Sequence, residues 1–178
     1  MNIIITGSVC TGKTTLAKIL SRILHYKHIN VNGIIKTHKE VVAGYDRKRK
    51  TKEIDTNKLN KVLLKIIKKE KNSIVDSHLS HYLPRKRVDL CIVCKTDLRT
   101  LKKRLERRTY SPLKIRENLD AEIFDVCATE AAERGHNIFV FYADKPIKKQ
   151  LQTLLSHILK SEGAHSLKDK PKRSTKQA

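Results

Sequence analysis

Hydrophobic positions along the chain fall into two alternating kinds of run. Residues 2–6 (NIIIT) form an unbroken apolar stretch that stops at Gly7, the pattern of a strand buried on both faces of a parallel sheet. Directly after it, Leu16, Ile19, Leu20, Ile23 and Leu24 recur at helical spacing and predict a helix over about residues 13–24. The alternation then repeats, beginning with a weaker strand at 28–31. A helix that Thr56 can cap carries the stripe Leu59, Val62, Leu63, Ile66 and Ile67, with Lys58, Lys61, Lys65, Lys68 and Lys69 on its wet side. Brief strands follow at 73–76 and 88–94. Thr96 and Asp97 are cap candidates for the stripe Leu98, Leu101 and Leu105, which the sequence TYSP at 109–112 interrupts.

A long helix over about 113–134 presents Leu119, Ile123, Phe124, Val126 and Cys127, and Gly135 stops it. The last strand is expected at 137–142, and the last helix is marked by Ile147, Leu151, Leu154, Leu155 and Ile158. Residues 31–53 show little periodicity and read as an irregular or loosely helical stretch beside the core. From Ser161 onward periodicity ends in a polar, basic segment expected to be a disordered tail over 161–178. Strands alternating with helices predict an α/β fold around a parallel sheet.

Composition narrows the class. At 178 residues, 39% hydrophobic, one domain with a single core is expected, which excludes collagen, a disulfide scaffold and a disordered chain. No apolar run approaches the roughly 18 residues of a membrane span, and the opening residues lack the basic region of a signal peptide, so a soluble cytoplasmic protein is expected. Cys10, Cys91, Cys94 and Cys127 read as reduced thiols. The 39 Lys and Arg against 18 Asp and Glu give a formal charge of +21, which calls for a polyanionic partner, nucleic acid first. A lysine-rich surface set by genome bias or by a salt- or heat-adapted cell is the alternative.

Residues 7–14 (GSVCTGKT) fit the phosphate-binding pattern G-x-x-x-x-G-K-[ST], placed between a predicted strand and a predicted helix as its mechanism requires. Backbone N–H groups and the helix N-terminus cradle phosphate oxygens, Lys13 reaches the β and γ phosphates, and Thr14 offers a hydroxyl to Mg²⁺. Such a site needs a carboxylate at the end of another buried strand, and Asp76 fits, with His78 close behind. A turn-capping Asp and a solvated His are the plain alternatives, and His81 has no comparable argument. Phosphoryl transfer also needs cations, which Arg104, Arg107, Arg108 and Arg116 supply around the helix break. They read either as helix-terminal charges or as a hinged flap. The C-x-x-C spacing of Cys91 and Cys94 lies within an apolar strand and reads as packing, not zinc.

With these motifs assembled, the chain resembles the archaeal and eukaryotic nuclear adenylate kinases, the isoenzyme-six family. The resemblance rests on GSVCTGKTT at 7–15, GYD at 44–46, VDSH at 75–78 with YLP at 82–84, TD at 96–97, RLERRTY at 104–110 and ENLDAEI at 117–123, and spans about residues 1–160. It implies a P-loop kinase fold with a five-stranded parallel core, a monophosphate-binding segment at about 30–54 and a short lid at about 107–117. It also implies Mg²⁺-dependent phosphoryl transfer from ATP to AMP, ATP hydrolysis, and a role in small-subunit ribosomal RNA maturation beside a platform ribosomal protein, in the nucleus if the source is eukaryotic. By motif position Cys10, Gly12, Lys13, Thr14 and Thr15 would hold ATP phosphates, Arg108 would cover ATP, and Asp76 and His78 would serve the metal and the attacking water or acceptor. Two departures stand out: Gly33 and Lys36 lie where the family carries Asp and Arg, and basic residues follow Asp46 where it carries acidic ones. Lys lacks the bidentate grip of Arg on phosphate. An ATP-hydrolysing assembly factor with little AMP kinase activity, or a kinase for another small acceptor, therefore stays open.

Overall fold

A computed structural model describes residues 1–47 and 49–168. They fall into two compact units, Met1–Pro146 and a second that begins at Ile147. In the first, strands β1 (Asn2–Thr6), β2 (Lys27–Asn30), β5 (Ser73–Asp76), β6 (Leu90–Lys95) and β7 (Ile138–Tyr142) form one sheet in the order β2-β5-β1-β6-β7. Every pairing in it is parallel, with Ile5 level with Asp76 on one side and with Ile92 on the other. The middle strands are buried because they are continuous apolar runs: Ile3, Ile4, Ile5, Ile74, Val75, Leu90, Cys91 and Ile92 are all 0% exposed.

The crossovers are helices α1 (Lys13–Leu24), α2 (Val31–Thr37), α3 (Thr56–Lys69), α4 (Leu98–Arg107), α5 (Pro112–Ile123) and α6 (Val126–Glu133). Helix α3 is opened by Asp55, whose carboxylate accepts from the Lys58 amide at 3.0 Å, so the cap lies one residue before the expected Thr56. Asp97 caps α4 by accepting from the Thr100 amide at 2.8 Å. The second unit contains helix α7 (Ile147–Lys168), which runs past Ser161 into the stretch expected to lose periodicity. The remainder of the expected tail, 169–178, lies outside the described residues, as does Lys48. No helix among the described residues is long and apolar enough to cross a membrane.

Two expectations are corrected. The described residues of 31–54 form α2, a 3-10 turn at Lys39–Val41 and an antiparallel pair of β3 (Val42–Asp46) and β4 (Thr51–Ile54). Val31, Ile35 and Val41 enter the core beside Leu59, Leu63 and Val75, so the segment is anchored in the core. Their spacing was masked by polar neighbours and by the change of element every few residues. The long helix over 113–134 is two helices, broken where Asp125 takes a left-handed φ of 53° and its carboxylate meets Lys95 at 2.9 Å. The break also leaves the predicted stripe outside: Ile123 is 56% and Phe124 73% exposed, and the buried residue of α5 is Glu122.

Candidate functional site

The carboxyl ends of the strands converge where the strand order reverses around β1, the place at which open α/β sheets bind ligands. β1 ends at Thr6 and the chain turns through Gly7, whose φ is 132° and whose missing Cβ would lie 2.2 Å from the Cys94 carbonyl oxygen of β6. Only glycine fits between these strands. Gly12 closes the loop at φ 99° and precedes the first turn of α1, so the loop's amides and the positive end of the helix dipole share one cradle. Cys10 sits between them at φ 69°.

Lys13 folds back over the loop and donates from Nζ to the carbonyls of Gly7 at 2.8 Å and Ser8 at 2.6 Å. Enclosure lowers its ammonium pKa below the ordinary lysine value, opposed by Cys94, Cys127, Asp76 and Cys10 nearby. A polyphosphate entering the cradle exchanges these neutral carbonyls for anionic oxygens. The loop is braced from beneath. Thr11 Oγ1 donates to the Ser8 carbonyl at 2.9 Å, Arg104 Nη1 donates to the Cys10 carbonyl at 3.2 Å, and Ser8 Oγ donates to Glu122 at 2.6 Å.

Asp76 ends β5 beside the loop at 3% exposure. Its Oδ2 meets His28 Nε2 at 3.0 Å and its Oδ1 accepts from Asn30 Nδ2 at 3.4 Å, both from the adjacent strand β2. Two residues on, His78 has access to solvent but stands among protein atoms that disfavour its charged form; with Lys13, His81 and Lys114 adding to this, its pKa is pulled down to about 4. Its imidazole is neutral at physiological pH. Beneath it, buried His81 joins Thr6 Oγ1 at 2.7 Å to Glu130 Oε2 at 2.6 Å.

The far wall is the turn between α4 and α5. Thr109 takes φ 54°, and Ser111 caps α5 through the Lys114 amide at 3.3 Å. Arg108 lies exposed in this turn, where a hydrogen bond with Tyr110 raises its pKa and the Cys10 side of the loop adds attraction. Between β3 and β4, Arg49 donates to Asp46 and, from Nε, to Glu117 of α5 at 2.8 Å, bringing the segment around 30–54 against the one around 107–117.

Cys10, Gly12, Lys13, Thr14, Asp76, His78 and Arg108 are thus gathered around one crevice, whereas Thr15 is exposed on the first turn of α1 without a side-chain bond to the loop. Glu122 was not singled out, although it lies in a quoted motif, because an acid on a helix reads as solvated. His28, Asn30, His81 and Glu130 left no sequence signal of their own, since their partners lie 46 to 75 positions away. Cys91 and Cys94 are buried, and burial raises both thiols to about 12, which makes them inert packing groups.

Sheet order, phosphate loop and converging cations define a P-loop nucleotide kinase. A family model described as an AAA domain matches residues 3–125. The chain is 38% identical over 138 residues to a putative adenylate kinase of Methanocaldococcus jannaschii, covering 78% of this chain and 76% of that protein. It is 33% identical over 159 residues to an adenylate kinase isoenzyme 6 homolog of Saccharomyces cerevisiae, covering 89% and 80%. It therefore belongs to the adenylate kinase isoenzyme 6 family. Among solved structures, a deoxyadenosine kinase from M. mycoides with bound dATP has a similar fold, with a TM-score of 0.59 at 16% identity over 89% of this chain and 100% of that one.

Proposed function

We propose that the chain transfers the γ-phosphoryl group of ATP to AMP, forming two ADP, and also hydrolyses ATP. The observation that carries this reading is Lys13 held over the P-loop with Asp76 and His78 on one side and Arg104 and Arg108 on the other. In transfer, an AMP phosphate oxygen attacks the γ-phosphorus as the bond to the β–γ bridging oxygen breaks. In this reading Lys13 and Arg108 offset the charge that accumulates on the transferred group. In hydrolysis a water takes the acceptor's place, and neutral His78 is in the form that accepts its proton.

Mg²⁺ suits the donors present. The Thr14 hydroxyl and the Asp76 carboxylate are hard oxygens, and His28 and Asn30 take one contact from each Asp76 oxygen, leaving further lone pairs for the ion or its waters. When bound, Mg²⁺ neutralises charge on the β and γ phosphates. The biological setting we propose is small-subunit ribosome maturation, with a ribosomal protein and pre-ribosomal RNA as partners, in the cytoplasm or the nucleus according to source. The charge of +21 supports an RNA partner.

A second reading, an ATP-hydrolysing assembly factor with a weak or different acceptor, is favoured by the monophosphate segment: Gly33 and the exposed Lys36 replace Asp and Arg, and Arg49 is already engaged by Asp46 and Glu117. Incubating the protein with ATP and Mg²⁺, with and without AMP, separates the two. AMP consumed with two ADP formed supports the kinase; phosphate and ADP alone with AMP untouched overturns it and favours the ATPase.

A further inference from the structure

All strands of a parallel sheet begin at one edge, and here that edge lies away from the P-loop. Reading across β2, β5, β1 and β6, it carries Lys27 at the start of β2, Lys71 just ahead of β5, and Lys86 and Arg87 just ahead of β6. Lys27 and Asn2 are both level with Ser73, and Ile3 is level with Leu90, so these starts line up. Hydrogen bonds stitch the edge together. The Lys27 amide donates to the Asn72 carbonyl at 3.1 Å, the Ser73 amide to the Met1 carbonyl at 3.1 Å, and Asn2 Nδ2 to the Arg87 carbonyl at 3.2 Å. Helices returning to this edge add Arg22 in the last turn of α1 with His25 just after it, and Lys68 and Lys69 at the end of α3.

Lys27, Lys71, Lys86 and Arg87 are exposed and, among the described residues, none is in an ion pair. The acids on the edge are half-buried Glu70 and Asp89, the latter accepting from the Asn2 amide at 2.6 Å. Cations at helix C-termini are expected from the helix dipole, which accounts for Arg22, Lys68 and Lys69. It does not account for Lys27 and Lys71, which lie outside the helical last turns, nor for Lys86 and Arg87, which close a single 3-10 turn at Arg85–Arg87 too short to sum a macrodipole. The four sit at the starts of three strands, β2, β5 and β6, and with β1 between the last two they span about 15 Å at the spacing of paired strands.

We infer that this edge is a docking stripe for the phosphate backbone of double-stranded RNA, on the side of the sheet opposite the nucleotide crevice. Tyr26 at the edge is only 7% exposed, which leaves the exposed His25 ring as a stacking surface much smaller than the run of cations, so the contacts go mainly to phosphates. The choice of RNA among duplexes rests on the RNA partner proposed above; the stripe itself rests on the charge pattern.

The test is fluorescence-anisotropy binding of a short RNA hairpin to the full chain over a salt series, alongside ATP turnover. The variant Lys27→Gln/Lys71→Gln/Lys86→Gln/Arg87→Gln should flatten the log Kd against log[salt] slope by about 3 to 4 and weaken binding at least tenfold, while ATP turnover stays at the parent rate. The pair Lys27→Gln/Lys71→Gln, less exposed to folding loss, should show about half that change in slope. Wild-type protein that binds no RNA overturns both the stripe and the RNA partner, and leaves the kinase reading to its own assay. Parent-like binding by the variants, with binding lost instead on neutralising Arg47, Arg49 and Lys50, overturns the stripe alone. Tighter binding to single-stranded RNA, to duplex DNA or to phosphatidylserine vesicles than to the hairpin also overturns it.

Discussion

Ser8 of the phosphate loop donates a 2.6 Å hydrogen bond to one carboxylate oxygen of Glu122, whose other oxygen accepts from the Thr96 amide at 3.1 Å. One buried acid on α5 thus ties the nucleotide loop to the residue that follows β6. Glu122→Ala leaves a buried hydroxyl and a buried amide unpaired, and should cost about 2–3 kcal/mol of stability and raise the KM for ATP. Glu122→Gln keeps an acceptor and should lose less. Denaturant unfolding and ATP kinetics read both; unchanged values in Glu122→Ala would mean that the loop is held without it.

What was legible in the sequence follows from the range over which its signals act. Strands β1, β5 and β6 and helices α1 and α3 were readable because continuous apolar runs and helical stripes are local patterns, and the P-loop because its glycines and lysine are contiguous. The segment at 31–54 was not, because α2, a 3-10 turn and an antiparallel strand pair each occupy too few residues to build a period, and Val31, Ile35 and Val41 reach the core one at a time. The helix over 113–134 was misread for a related reason. Asp125 bends the chain through contact with Lys95, thirty positions earlier, and this bend places Glu122 at the loop while leaving Phe124 outside. Asp76 and His78 were legible as strand-end residues, but the His28 and Asn30 that hold Asp76 depend on β2 lying beside β5, which pattern alone does not give.

Lys13→Ala should reduce ATP turnover by a hundredfold or more on the scale of other transition-state donors, with and without AMP, because it removes the cation enclosed by the loop. Single-turnover assays check this, and normal turnover would rule out the phosphate-loop reading.

His81 is a positioning residue with its own test. Glu130 accepts from Nε2, which leaves Nδ1 of the neutral ring to accept the Thr6 hydroxyl hydrogen one residue before the loop. His81→Phe fills the space but leaves the Thr6 hydroxyl only longer, weaker contacts such as that to the His78 carbonyl at 3.5 Å, and should cost about 1–2 kcal/mol. Thr6→Val removes the poorly paired group, so the double variant should be more stable than the sum of the two changes predicts. Urea unfolding of the four proteins measures the coupling; strict additivity would show that the hydrogen bond contributes nothing.

The depressed pKa of His78 carries a sign for pH. In the unfolded chain the imidazole takes up a proton near 6.5, whereas in the folded protein it does so only near 4. Between these values the unfolded state binds more protons, so this residue lowers stability as pH falls from about 6.5 towards 4 and contributes no loss above that window. His78→Gln should therefore narrow the drop in melting temperature between neutral and mildly acidic buffer, with the largest difference from the parent at the acid end. An equal drop in both proteins would place the proton uptake at His81 or His136, whose pKa values are also lowered by burial.

The contact between Arg49 and Glu117 joins the β3–β4 segment to α5 across 68 positions, at an exposed site where an ion pair adds little to folding. Its consequence is positional: while Arg49 is held by Glu117 and Asp46, its guanidinium is not available to an acceptor phosphate. Glu117→Gln removes one of the two anions. It should leave the melting temperature nearly unchanged and lower the KM for AMP, with the KM for ATP unaffected, if the freed Arg49 supplies the grip that Lys36 lacks. Arg49→Ala in the same background should cancel that gain. Steady-state kinetics on the two variants decides the matter: a rise in the AMP KM with Glu117→Gln would instead make the Arg49–Glu117 contact a clasp that the acceptor site needs closed.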